Sequence, residues 1–484
     1  MSATLARILV FGSSAAVLVL EIMAGRLMAP YVGVTLETFT GIIGIVLTGI
    51  AVGAWAGGTA ADRLEPRPLL GPVLILSGLL ALAAPSLVSL IGPHMRGAGP
   101  FEIVALTTGA FFLPVLALST IPPMVVKLRL RALEETGRVV GSLSALSTIG
   151  ALVGTFLTGF VLVAAMPSRP LVLGMGALLV LAGVALAAGT VRKRAVIVAV
   201  VGTLTATVGL GLGDGPCDYE TTYFCAVIEV DAHRPSGRML WLDTRPHSYV
   251  DLADPTYLEF RYAKTVADVV AQFPDGPISA AYIGGGGFTL PRYFAAIRPG
   301  STATVLEIDG ALVKLVQRRL GLKLSDTLRV EVGDARLRLP SHADDSFALV
   351  IGDAFGGLSV PWHLTTREFL FDVQRVLTDD GVYVVNVIDY PPLAFARAEV
   401  ATFLDVFEYV AVIAPVRYLY GERGGNFVIV GSRRPLPSDA VQMRLNTRAD
   451  FEVVWSGAKA QAFVEGARVL TDDFAPVDQL LSAP

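Results

Sequence analysis

Residues 280–309 read AAYIGGGGFTLPRYFAAIRPGSTATVLEID, and their order decides the fold. Ala280-Ala-Tyr-Ile283 is a short apolar run of the kind that forms a buried strand. It leads straight into four glycines, Gly284 to Gly287, and then into a helical stretch carrying Arg292 and Phe294. A second strand, Ala303-Thr-Val-Leu306, ends in Glu307-Ile-Asp309. Strand, glycine turn, helix and strand open a Rossmann-like α/β sheet. The glycine turn lets backbone approach a nucleotide-like ligand, and an acid ending the second strand can accept hydrogen bonds from both ribose hydroxyls. Gly284, Gly285, Gly286 and Glu307 are therefore candidate ligand contacts. A dinucleotide site requires Gly-x-Gly-x-x-Gly; four consecutive glycines suit an adenosyl group without phosphates at least as well.

The pattern continues downstream. Leu328-Arg-Val-Glu-Val332 leads into Gly333-Asp334-Ala335, where an acid can read an adenine amino group. Phe347-Ala-Leu-Val-Ile351 leads into Gly352-Asp353-Ala354-Phe355, so Asp353 stands at the carboxyl end of the fourth strand, where open α/β sheets hold their ligands. Any one of these acids reads as a helix cap or a turn residue. Glu307, Asp334 and Asp353 at the ends of successive strands read as a crevice.

Upstream, Val227–Val230 and Met239–Leu242 flank Pro235-Ser-Gly237 and are expected to pair as a β-hairpin. The only two cysteines, Cys217 and Cys225, lie just before it. They are too few for a zinc site. A disulfide, which suits an oxidising compartment, and two buried thiols both fit.

The first half is different in kind. The chain of 484 residues is 53% hydrophobic and only 17% charged, and the apolar excess lies before residue 213. Apolar stretches at about 8–25, 38–60, 69–91, 101–120, 140–164, 169–190 and 195–212 each approach the ~20 residues a helix needs to cross a bilayer. Seven in succession predict a polytopic membrane bundle, with a retained first helix and not a cleaved leader. Gly49, Gly53, Gly57 and Gly58 form a small-residue stripe suited to close helix packing. Glu21, within the first apolar run, reads either as the mark of a functional site or as part of a structural tie, to Arg26 or between helices.

The even-numbered loops hold nine basic residues: Arg63, Arg67, Lys127, Arg129, Arg131, Arg138, Arg192, Lys193 and Arg194. The odd-numbered loops hold three: Arg26, Arg96 and Arg169. This bias sets the even loops in the cytoplasm and, with seven spans, the soluble half outside it. The expected domains are residues 1–213 in the membrane, 214–275 as a hairpin lead-in and 276–484 as the Rossmann-like domain. A net charge of -4 and the lack of a basic patch argue against a nucleic-acid partner.

The soluble half resembles the spermidine synthase (polyamine aminopropyltransferase) family. The resemblance rests on Leu242-Asp243 with His247, Tyr257-Leu-Glu259, Tyr282-Ile-Gly-Gly-Gly-Gly287, Leu306-Glu-Ile-Asp309, Gly333-Asp334-Ala335, Asp353, Leu377-Thr-Asp-Asp-Gly381 and Tyr418-Leu-Tyr-Gly421. It covers roughly residues 217–435, and a membrane-fused front half is an arrangement of bacterial members. It implies decarboxylated S-adenosylmethionine as donor, a small amine such as putrescine as acceptor, and a homodimer. By position, His247, Gly284–Gly286, Glu307 and Asp334 would hold the donor. Asp353 would orient the amine and take its proton, and Tyr257, Glu259 and Tyr418 would line the acceptor site.

Three positions depart from the family pattern. Gly287 replaces an acid after the third glycine, Gly356 replaces a second acid beyond the catalytic one, and His247 stands in place of a glutamine. The two lost acids are anchors for a cationic acceptor. These departures keep open an S-adenosylmethionine-dependent methyltransferase acting on another substrate; a third reading is a non-catalytic membrane sensor or scaffold, against which Glu307, Asp334 and Asp353 together argue. The last stretch, with Thr471-Asp472-Asp473-Phe474-Ala-Pro-Val477, reads as a terminal turn returning toward the site, with Asp473 a candidate contact.

Overall fold

The computed structural model describes residues 1–95, 99–130, 132–187, 202, 216–448 and 450–482. The chain divides into two compact units, Met1–Ala226 and Val227–Pro484.

The first unit is a bundle of long apolar helices, and the protein is a multi-pass membrane protein. Among the described residues, six helices have the length and composition to cross a bilayer: Ala3–Val32, Leu36–Arg63, Pro66–Met95, Pro100–Arg129, Leu133–Leu162 and Ser168–Ala187. The expected seventh span at 195–212, apart from residue 202, and most of the expected breaker at 213–216 lie outside the described residues.

Small residues set how closely these helices approach. A Cβ at Gly53 or Gly57 would collide with the carbonyl oxygens of Leu116 and Thr120 on the fourth span, so the glycine stripe is a packing surface. Gly58 faces open space and takes no part in it. Arg26 does not pair with Glu21. Its guanidinium donates to Glu220 at 3.0 Å and to the carbonyl oxygens of Thr221 and Thr222. Glu220 also accepts from the amide of Ser168 at 2.9 Å and from its hydroxyl. Cys217 and Cys225 are joined in a disulfide that closes this same loop.

The second unit is built on an eight-stranded sheet. The lead-in is a four-stranded sheet in the order β1 (Tyr219–Glu220), β2 (Cys225–Val230), β3 (Gly237–Leu242) and β4 (Arg245–Asp251), of which β1 and the start of β2 belong to the first unit. The main strands are β5 (Ser279–Ile283), β6 (Thr302–Glu307), β7 (Leu328–Val332), β8 (Phe347–Gly352), β9 (Leu377–Asp389), β10 (Tyr409–Pro415), β11 (Gly425–Ser432) and β12 (Glu452–Ser456). They lie in the order β12-β10-β11-β9-β8-β5-β6-β7.

Strands β7, β6, β5, β8 and β9 run parallel, and β11, β10 and β12 extend the sheet antiparallel. The central strands β5 and β8 read as near-continuous apolar runs and are buried along most of their length, as parallel strands inside a sheet are. The helix Arg367–Val376 buries Phe369, Leu370, Val373 and Val376, a helical spacing. Tyr383 stacks on Phe403 at 5.2 Å within the core. From β5 the chain builds outward through β6 and β7, then returns to lay β8 on the other side of β5. That reversal opens a crevice beyond the carboxyl ends of β5 and β8.

Candidate active site

Three backbone hydrogen bonds align the strand ends that border this crevice. The amide of Asp353 donates to Ile283 O at 2.9 Å, that of Gly284 to Leu306 O at 2.9 Å, and that of Gly333 to Glu307 O at 2.9 Å. Asp353, the glycine turn, Glu307 and Asp334 therefore line one edge, in that order. Gly284 has φ 93°, and a Cβ there would lie 2.6 Å from the carbonyl oxygen of Asp353. Only glycine passes so close in that conformation.

Glu307 is buried and holds the turn from beneath. Its Oε2 accepts from the amides of Gly285 (2.7 Å) and Gly286 (3.3 Å), and its Oε1 accepts from Asp309 N at 2.9 Å. Burial pushes its carboxyl upward, and these backbone donors oppose that shift.

The lead-in sheet closes on the turn from the other side. Ser248 Oγ accepts from Gly287 N at 2.9 Å and lies 3.2 Å from His247 Nδ1. The ring of His247 covers Gly286, and burial lowers its pKa to about 4, so it stands neutral at physiological pH.

At the crevice centre, Asp353 is half-buried and its carboxyl is held by two groups. Tyr262 donates its hydroxyl to Oδ2 at 2.8 Å, and Asn386 donates its amide to Oδ1 at 3.0 Å. Asn426 supports Asn386 from behind at 3.0 Å. Desolvation raises the Asp353 pKa, and the two hydrogen bonds work against it. Each carboxylate oxygen keeps a lone pair for a further donor.

The remaining expected residues divide. Asp334 caps the helix at Ala335 through Arg336 N and lies 3.2 Å from His363 Nε2. Tyr418 is half-buried under the guanidinium of Arg261, 5.1 Å from the ring centroid, beside Tyr262 in sequence. Tyr257 and Glu259 do not meet Asp353. They bond each other at 2.6 Å, and Tyr257 packs on Tyr249 and under Arg234.

Tyr262, Asn386, Asn426, Ser248 and His363 escaped the sequence reading. Asn386 carried a signal, since a lone amide in the apolar run Val384-Val-Asn-Val-Ile388 must find a partner if buried.

This is a ligand crevice of the Rossmann-like transferase class, carried on a chain with a multi-pass membrane region. No family model matches the chain. It is 30% identical over 221 residues to a polyamine aminopropyltransferase of Vibrio vulnificus, covering 43% of this chain and 71% of that one. It is 24% identical over 198 residues to polyamine aminopropyltransferase 1 of Bacillus cereus, covering 39% and 70%. The crystal structure of a probable spermidine synthase from Corynebacterium glutamicum superposes with a TM-score of 0.50 at 29% identity, covering 54% of this chain and 97% of that one. The chain belongs to the polyamine aminopropyltransferase, or spermidine synthase, family.

Proposed function

We propose that this protein transfers an aminopropyl group from decarboxylated S-adenosylmethionine to a small amine. The observation that carries the reading is Asp353: a desolvated carboxyl at the switch point, held by Tyr262 and Asn386, beside an adenosyl-type edge. An attacking amine must be neutral. Its nitrogen forms a bond to the methylene carbon next to the sulfonium, the carbon–sulfur bond breaks, and the donor leaves as a neutral thioether. The nitrogen then sheds a proton to Asp353. A base with a raised pKa suits that task better than an ordinary carboxylate. In this reading Glu307 and Asp334 hold ribose and base, with the glycine turn and His247 beside them. Tyr418 borders the acceptor, while Tyr257 and Glu259 stand in the loop that follows β4.

The test incubates the purified full-length protein with putrescine and either decarboxylated or intact S-adenosylmethionine, followed by mass spectrometry. Aminopropylated putrescine is the expected product. A methylated product would move the protein to the methyltransferase reading. If neither donor binds by calorimetry, both readings fail.

The two departures from the family pattern have different surroundings. A Cβ at Gly287 would lie 2.7 Å from Ser248 Cβ and 3.0 Å from Val250 Cγ2, so an acid there is excluded by packing. A Cβ at Gly356 meets nothing within 4 Å. Gly287→Asp is expected to destabilise the protein by about 1–3 kcal/mol through overpacking. Gly356→Asp should leave the melting temperature unchanged and lower KM for a diamine, because it adds a carboxylate near the crevice. Thermal melts and acceptor titrations measure both effects.

A further inference from the structure

We propose that the Thr471–Phe474 turn is a strap for the donor side of the site: Asp472 ties Arg336 to Thr366, and that tie sets His363 against Asp334. The proposal rests on the adenosyl-donor reading above.

The contacts form a closed ring between two strand ends. Asp334 follows β7 and caps the helix that carries Arg336. His363 follows β8 and lies just before Thr366, which caps Arg367–Val376 by accepting from Phe369 N. In front, His363 Nε2 meets Asp334 Oδ2 at 3.2 Å. Behind, Arg336 Nη1 donates to Thr366 Oγ1 at 3.3 Å.

Asp472 bridges that rear contact. Its Oδ2 accepts from Arg336 Nη2 at 2.7 Å, and its Oδ1 accepts from the Thr366 hydroxyl at 2.7 Å. The strap is itself anchored at three points. Asp472 N donates to Glu368 Oε2 at 2.9 Å, Arg367 N donates to Leu470 O at 2.8 Å, and Leu470 N donates to Thr402 Oγ1 at 2.9 Å. Leu470 is fully buried, so the turn is seated in the core.

Two loops that end on different strands move independently unless something joins them. Here a charge-assisted pair joins them behind the acid that would read the donor's base, and Thr366, the shared partner, is completely buried. Asp472 touches neither strand end directly. It acts as a positioning residue through Arg336 and Thr366, and the donor meets the His363–Asp334 edge that it sets.

The experiment compares full-length wild type, Asp472→Ala, Asp472→Asn and Asp478→Asn for binding of S-adenosyl ligands by calorimetry and for the kcat and KM of the donor. Asp472→Ala is expected to raise the donor Kd ~10-fold, more than it lowers kcat. Asp472→Asn, which keeps an acceptor for Thr366, should give a smaller rise, and Asp478→Asn none. Donor affinity equal to wild type in a folded Asp472→Ala protein would overturn the proposal. Hydrogen exchange across 333–339 and 354–366 provides a readout that needs no ligand. Faster exchange in the Asp472 variants supports the strap, and unchanged exchange overturns it. A wild type that binds no adenosyl ligand refutes the donor reading instead, and exchange then judges the strap alone.

Discussion

Asp353→Asn is expected to fold, to bind its adenosyl donor and to turn over ~10²–10⁴-fold more slowly. The amide has the shape of the carboxyl it replaces. Its oxygen can accept from Asn386, and its nitrogen can donate to Tyr262 if the phenol hydroxyl rotates. What is lost is the lone pair that takes the amine's proton.

The pH behaviour follows from the same group. Desolvation raises the Asp353 pKa, so the acid limb of kcat/KM should lie above the ordinary carboxylate range, and the variant should lack it. Stability carries the opposite sign. Between its ordinary and its raised pKa, the native carboxyl binds more protons than the unfolded one, so its contribution falls as pH rises through that window. The Asp353→Asn side chain is neutral at every pH, avoids this loss and should melt higher at neutral pH. Calorimetry, pH–rate profiles and thermal melts test the three statements. Loss of donor binding in the variant would mean that Asp353 holds the donor and is not the base.

A reporter that folds only in an oxidising compartment, fused after Pro484, is expected to be active, and a cytoplasmic reporter at the same point to be silent. From the charge bias, the odd loops are expected outside the cytoplasm. Arg26, toward the end of the first span, and Ser168, at the start of Ser168–Ala187, both adjoin odd loops, and both bond Glu220. By residue 220 the chain is thus back at the end where the last described span began. The Cys217–Cys225 disulfide encloses that same residue and belongs in an oxidising compartment. An active cytoplasmic reporter would reverse this orientation and leave the two cysteines reduced in the cell.

Much of this crevice edge was legible in the sequence. The glycine turn, Glu307, Asp334 and Asp353 announce themselves because each follows an apolar strand, and strand ends in a parallel sheet share one edge. Tyr262 was not legible. Tyr257 lies in the better-marked motif, but the helix begins only at Arg261, and its first turn delivers Tyr262 to the crevice. Tyr257 is left beside the lead-in sheet, bonded to Glu259 and packed under Arg234. The cost of an acid at Gly287 was equally hidden, because the obstacle, Ser248, comes from a strand 39 residues away.

The sequence by itself determined a membrane-spanning front half and an open α/β sheet with acids along one edge. Hydrophobic run length, strand alternation and glycine turns are local properties, readable within a few residues. Only the tertiary structure decided which groups hold Asp353, where Arg26 goes and what ties the donor-side loops. Tyr262 lies 91 residues from Asp353, Arg26 lies 194 from Glu220, and Asp472 lies 136 from Arg336. Such pairings follow from strand order and from where each helix begins, and a charged or hydroxyl group selects its partner only once packing has brought the candidates within hydrogen-bonding distance.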